Sequence, residues 1–170
     1  MLDEKLVELL NDQINKEFYS AYLYLSMANY YNEEGLSGFG NWFTIQAKEE
    51  RDHAMLFLEY LQNNGAHVEL KTVEAPKKKF KEFKDPLEES LKHERYVTDS
   101  IHNIYAAASK VKDFRTMQFL DWFVKEQGEE EKTAEDLIKK LELFGQDGKG
   151  LYMLDSELAS RSYSAPSLAL

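Results

Sequence analysis

The sequence predicts an all-α fold: a four-helix bundle with a long crossover between helices two and three and a short fifth helix at the C-terminus. Three observations predict it. Four segments repeat apolar residues at a helical period and little else in the chain does. Only three prolines occur in 170 residues. The connections are short except for one, of about 20 residues, between the second and third periodic segments.

The first helix is predicted from Asp3 to Asn32, with the apolar stripe Leu6, Leu10, Ile14, Ala21, Tyr24, Ala28 and with Gly35 and Gly38 punctuating its end. The second is predicted from Ser37 as N-cap through Phe39, Phe43, Ala47, Ala54, Phe57 and Leu61. It stops at Asn63-Asn64-Gly65, because glycine accepts the left-handed conformation that ends a helix. The third opens at Asp85-Pro86-Leu87-Glu88: Asp85 is the expected cap, Pro86 suits the first helical position, and Glu88 would reach back as in a capping box. Its stripe is Leu91, Val97, Ile101, Ile104, Ala108. The fourth starts near Asp113, carries Leu120, Phe123, Ala134, Leu137 and Leu141, and ends before Gly145. Residues 151–158 form the expected fifth helix. Residues 1–160 are read as one domain, and the serine-rich residues 161–170 as a flexible tail.

The short links make helices one and two, and three and four, antiparallel hairpins. A helix of about 27 residues is about 40 Å long, and residues 65–84 fully extended reach at most roughly 66 Å. The linker can therefore cross the bundle and set helix three parallel to helix two. Val68, Leu70, Val73, Phe80 and Phe83 make it too apolar for a solvated tether.

Composition narrows the function. The net charge of −10 opposes nucleic-acid phosphates and suits cations. The absence of cysteine removes disulfides, thiolate zinc sites and iron–sulfur clusters, and it fits a reducing, cytoplasmic setting. The charged stretch Met1 to Lys5 has no apolar signal-peptide core, and no window of apolar residues is long enough to span a membrane.

Each predicted helix interrupts its own apolar stripe near mid-length with a ligand-type side chain: Glu17 on the first, Glu50 and His53 on the second, Glu94 on the third, Gln127 and Glu130 on the fourth. Residues three apart share a helix face, so Glu50 and His53 can grip one ion together. Four carboxylates buried at one level are prohibitive unless cations neutralise them, and two divalent ions balance four negative charges. A glutamate from each of two helices with a Glu-x-x-His pair is the pattern of a dinuclear carboxylate centre in a bundle. Oxygen and imidazole donors without sulfur suit iron or manganese and would accept zinc.

Over nearly its whole length, to about Leu158, the chain resembles a bacterial non-haem ferritin. The resemblance is carried by Asn11-Asp12-Gln13 through Glu17, Ala47-Lys48-Glu49-Glu50-Arg51-Asp52-His53, Lys92-His93-Glu94, Glu126-Gln127-Gly128-Glu129-Glu130-Glu131 and Gly150-Leu151-Tyr152. It implies a ferritin-like fold and a ferroxidase centre in which iron is oxidised by dioxygen or peroxide. Glu17, Glu50 and His53 would hold the first iron. Glu50 as a bridge, Glu94 and Glu130 would hold the second, with Gln127 close by. Glu49, Glu126 and Glu129 match a third site, which Glu130 would share. Tyr24 and Trp122 match aromatic residues that supply electrons or hydrogen bonds, with plain core packing as the alternative for both. The resemblance also implies a homo-oligomeric shell of 24 subunits, with Leu151, Leu154 and Leu158 of the fifth helix packing around a fourfold axis.

Two departures refine that expectation. Helix four offers Gln127-x-x-Glu130 in place of a second Glu-x-x-His, so the second iron should be held more loosely. Asp52 stands where haem-binding relatives carry a methionine, so no haem is expected. Three other readings stay on the table: a passive metal buffer of the same fold, a purely structural bundle, and a DNA-protecting mini-ferritin. The last usually lacks a fifth helix. A rubrerythrin-like peroxidase would need cysteine ligands, which are absent.

Overall fold

The computed structural model describes residues 2–76 and 79–170. Five helices follow one another: α1 (Glu4–Glu33), α2 (Ser37–Asn63), α3 (Asp85–Lys110), α4 (Phe114–Phe144) and α5 (Gly148–Leu158). None is long and apolar enough to cross a membrane. Helix α1 lies along α2 and α3 along α4, α1 also meets α3, and α5 caps the ends of α2 and α4.

The apolar stripes close into two clusters, one toward each end of the bundle. Tyr24, Tyr31, Phe39, Phe43, Leu87, Leu141, Leu154 and Leu158 belong to one cluster. Leu6, Leu10, Ile14, Phe57, Leu61, Ile101, Phe119 and Phe123 belong to the other. Each fully buried side chain of this size contributes about 1.5–3 kcal/mol relative to exposure. Stacked rings lock the rotamers: Tyr31 lies on Phe39 at 4.8 Å and on Phe43 at 5.5 Å, and Tyr60 on Phe119 at 4.0 Å. The layer between the clusters holds the polar side chains.

The linker crosses the bundle. Val68, near its start, packs on the cluster that contains Leu61, and Phe80 and Phe83, near its end, pack on the cluster that contains Phe39. Helix α3 accordingly runs from Leu87 in the second of these clusters to Ala108 in the first, parallel to α2. Polar side chains of α1 fasten the linker. Asn11 donates to the His67 carbonyl (3.0 Å) and accepts from the Glu69 N–H (2.7 Å), and Asn15 donates to the Thr72 carbonyl (3.0 Å). Leu70, in contrast to the other apolar linker residues, is exposed.

Helix ends follow local chemistry, with differences from the sequence expectation at two starts. Asp3 caps α1 and Asp113 caps α4 through side-chain acceptors, each worth about 1 kcal/mol. Ser37 does not cap α2. Gly35 takes φ 81, the chain reverses, and buried Leu36 occupies the cap position, so Ser37 is already helical. Asp85 does not cap α3 either. Its Oδ2 accepts from the N–H groups of Lys81 (2.7 Å) and Glu82 (3.0 Å), stabilising the turn before the helix, while Glu88 pairs with Lys84 (2.9 Å) instead of closing a capping box. Gly38 lies inside α2, where a Cβ would collide with the backbone of Asp155 in α5.

The expected outward role of Leu151, Leu154 and Leu158 needs correction. Leu154 and Leu158 are buried in this chain's own core and Leu151 packs against it. A short helix with one apolar stripe satisfies that stripe on the nearest bundle. The apolar residues left exposed around α5 are Leu143, Phe144, Tyr152 and Met153. The tail, residues 161–170, has no helix, yet it lies against α2 and α4 through Arg161, Tyr163, Ser167 and Leu168.

Candidate metal centre

The polar layer is built from mid-helix residues of all four long helices. Glu17, Glu50, His53, Glu94, Gln127 and Glu130 are all buried, the most exposed being Glu130 at 9%. Among the described residues, Glu17, Glu50 and His53 form the one group whose potential ligand atoms all lie within 4.8 Å of one another. His53 Nδ1 stands 3.6 Å from Glu50 Oε2, and its ring is boxed edge-on by Trp122 (5.5 Å) and Phe123 (5.8 Å).

Hydrogen bonds orient the carboxylates. Gln13 Nε2 donates to Glu17 Oε1 (2.7 Å), and Ser100, which receives a bond from Lys16, donates to Gln13 Oε1 (2.7 Å). On α2, Gln46 Nε2 donates to both Glu50 Oε1 (3.1 Å) and Glu130 Oε2 (2.9 Å). Gln127 Nε2 donates to Glu94 Oε2 (3.0 Å), and the Tyr24 hydroxyl donates to Glu94 Oε1. Gln127 therefore sits in the layer as a donor to Glu94.

Among the described residues, one buried side-chain oxygen has no donor facing it: Glu17 Oε2. Its neighbour Glu50 could bond to it only if one of the two carried a proton. Burial pushes the carboxyls of Glu17 and Glu94 up to about 8, with the Glu50 charge adding to both shifts. Glu50 and Glu130 are raised as well, by burial first and then by Glu130 and Glu94 respectively. Burial and the carboxylates of Glu94 and Glu50 hold Tyr24 protonated. Four buried acids with raised proton affinity, two of them, Glu17 and Glu50, facing each other with no donor but a shared proton between them, fit a place where divalent cations displace protons. Glutamate oxygens plus one imidazole are hard-to-borderline donors of the kind iron, manganese and zinc accept.

A cavity of about 360 Å³ adjoins this layer, lined by His53 and Glu130 on the centre's side and by Glu49, Trp122, Glu126 and Glu129 around its mouth. Glu49 and Glu126 are half-buried, with burial raising both carboxyls. Glu129 is exposed and paired with Lys125 at 3.3 Å. These three surround a cavity and are not drawn into one tight ligand group. Trp122 Nε1 donates to Ser167 of the tail (3.1 Å), so the indole is both a wall of His53 and an anchor for the tail.

Sequence reasoning did not single out Gln46 or assign Gln13 a role, although both carry a signal. Each lies four residues before a buried glutamate on the same helical face, Gln13 before Glu17 and Gln46 before Glu50. Arg161 carried no signal, because nothing in its tripeptide says which helix it meets.

Comparison with known proteins places these features. The profile of the ferritin-like domain family (Ferritin) matches residues 7–144. The chain is 41% identical over 163 residues to a bacterial non-heme ferritin of Staphylococcus haemolyticus, covering 96% of this chain and 98% of that protein. It is 40% identical over 164 residues to a bacterial non-heme ferritin of Campylobacter jejuni, with the same coverage. Among solved structures, an engineered closed form of Archaeoglobus fulgidus ferritin superposes with a TM-score of 0.94 at 44% identity, over 96% of this chain and 100% of that one. The open-pore ferritin of the same archaeon gives 0.92 at 45% identity, over 95% and 98%.

Proposed function

The chain belongs to the ferritin family, and on that premise we propose that it is an iron-storage subunit whose buried carboxylate layer is a ferroxidase centre. Fe(II) is the substrate. One ion is taken by Glu17, Glu50 and His53, and a second by Glu50, Glu94 and Glu130, with Glu50 shared. Two ferrous ions each give one electron to dioxygen, which takes up two protons and leaves as hydrogen peroxide. With peroxide as oxidant, the same two electrons yield water. The chain's own residues set the distance between the ions, exclude water through the two apolar clusters, and exchange protons for metal at the raised carboxyls. Tyr24 holds Glu94 through its hydroxyl and is placed to donate an electron.

The observation that carries this reading is the convergence of Glu17, Glu50 and His53 within 4.8 Å, next to the unpartnered Glu17 oxygen. The ferric product leaves through the acidic cavity, where Glu49, Glu126 and Glu129 form a third, weaker position. Copies of the chain assemble into a closed homo-oligomeric shell around the mineral, of 24 subunits as is typical of the family. Tyr22 and Leu25 on α1, and the exposed apolar group around α5, supply contact surface. The shell works in the cytoplasm without haem. Asp52, bonded to Tyr163, supports the haem-free reading because it has no sulfur to offer an iron porphyrin. Residues 1–160 form the ferritin-like unit, and residues 161–170 are its C-terminal tail.

Stopped-flow oxidation at two Fe(II) per chain tests the proposal. Glu50→Ala removes the shared ligand, and its initial rate should fall by more than the roughly 100-fold that loss of an outer-shell partner reaches. An unchanged initial rate would sink the catalytic assignment.

A further inference from the structure

The tail returns to the bundle at one residue with unusual precision. Arg161 is on a segment without secondary structure, yet its side chain is only 23% exposed. Its guanidinium lies over the Trp42 ring at 4.3 Å. One Nη donates to Glu49 Oε2 (2.6 Å); the other donates to Gln46 Oε1 (3.0 Å) and to the Trp42 carbonyl (3.2 Å). The Arg161 carbonyl in turn accepts from Asn41 (3.1 Å). Every one of these partners is on α2, and the two side chains that meet the centre and its cavity, Gln46 and Glu49, lie about two turns and one turn before His53.

Two consequences follow from the donor inventory. Arginine has no acceptor, so it can face only the oxygen of the Gln46 amide. The Gln46 NH₂ group is thereby turned toward Glu50 and Glu130, which it bridges. Arg161 also places a fixed positive charge against Glu49, at the rim of the cavity that begins at His53 and Glu130. A single charge-assisted bond of 2.6 Å from Arg161 to Glu49 Oε2 is strong and oriented, with the other arm of the guanidinium fixed on Gln46, and a metal dication at the same oxygen must displace it. The tail beyond it, residues 164–167, walls the other side of that cavity.

We propose that Arg161 is a positioning residue for iron transfer: it fixes the Gln46 amide against Glu50 and Glu130 and holds Glu49 as its own counter-ion, so the Glu49 corner takes a metal ion only when Arg161 leaves it. The tail is then a tethered cation that keeps iron in the paired centre and yields the cavity as charge accumulates there. This rests on the ferroxidase reading of the paired centre.

Anaerobic calorimetric titration of the assembled full-length protein with Zn²⁺, which binds without redox change, separates the two. Wild type should take two ions per chain tightly and a third weakly. In Arg161→Ala the third step should tighten about tenfold, the lower end of what an outer-shell change does to metal affinity. In Arg161→Lys, which keeps the charge but loses the fork, the third step should move by less than about threefold. A chain ending at Arg161 keeps every contact named for that side chain and should bind the third ion as wild type does. A third step equal in wild type and Arg161→Ala overturns the proposal. So does equal tightening on removal of residues 162–170 alone, because the tail would then act as a plain cover. Fewer than two tight ions in wild type would instead sink the paired-centre reading.

Discussion

The two halves of the proposed paired centre share Glu50, and their oxygens are occupied in opposite ways. On the Glu17 side, one carboxylate oxygen has no donor facing it, and Glu17, Glu50 and His53 bring one ligand atom each within 4.8 Å of one another. On the Glu94 side, both oxygens of Glu94 are engaged, by Tyr24 and Gln127, and Glu130 is held by Gln46. The first half is arranged for a cation before one arrives. The second must give up protein hydrogen bonds to accept one. Desolvation costs the two halves alike, since Glu17 and Glu94 are both pushed up to about 8 mainly by burial. The difference lies in what already satisfies the oxygens. A strong, preorganised position beside one that must be opened suits ions that pass through, because tight binding at both would retain the product.

The largest effect that would break this comparison comes from removing one carboxylate from each half. Glu17→Gln should weaken the first Fe(II) in an anaerobic titration by more than the roughly 100-fold that outer-shell changes reach, since a ligand itself is lost. Glu94→Gln should leave first-ion affinity within about threefold and remove the second step, because its effect is confined to the half that must be opened. Equal losses on the first ion from both variants would mean that the halves fill as one unit, and the asymmetry would be gone.

Much of this was readable before any coordinates. Four apolar stripes at helical period, each broken once near mid-length, placed Glu17, Glu50, His53, Glu94, Gln127 and Glu130 in a single layer, because side chains on core stripes at equal height must meet. The linker length allowed α3 to run parallel to α2, and the packing of Val68, Phe80 and Phe83 at opposite ends of the bundle shows that it does. What escaped reading was set by partners far away in the chain. Asp85 has the residue type of a cap, but the preceding turn offers it two N–H groups first. Leu154 and Leu158 could face a neighbouring subunit or this one, and periodicity names only the face. Arg161 meets Glu49 across 112 residues, a pairing that no local pattern encodes.

A smaller effect, on stability, sharpens what the halves share. Unfolded glutamates titrate near 4.3, whereas the folded, metal-free Glu17 and Glu94 titrate at about 8. Between those values the folded chain holds protons that the unfolded chain has released. Stability therefore falls as pH rises from about 5 to 8, the reverse of the usual carboxylate behaviour. A net loss of about 2 kcal/mol would lower Tm by about 4–8 °C in a chain of this size. Zn²⁺ replaces those protons and should recover more Tm at pH 8 than at pH 5. Calorimetry of the metal-free protein at the two pH values, with and without Zn²⁺, checks both signs. A Tm that rises with pH, or a Zn²⁺ gain independent of pH, would show that the layer is not held protonated.

The smallest effect concerns Gly128, which separates Gln127 of the second half from Glu129 of the acidic cavity. A glycine inside a helix costs about 1 kcal/mol relative to alanine, so a structural reason is expected for it. Close helix approach is not that reason: a Cβ built at Gly128 meets nothing within 4 Å, and its φ is not in the left-handed region. The residue is also exposed. Gly128→Ala should consequently raise Tm by about 2–4 °C, the equivalent of about 1 kcal/mol. If the second half opens only by breaking the Gln127 and Tyr24 hydrogen bonds, stiffening α4 beside Gln127 leaves the initial oxidation rate unchanged. A slower rate in a more stable variant would locate the opening in the backbone of α4, and the contrast between the halves would then be one of helix stiffness as much as of hydrogen bonding.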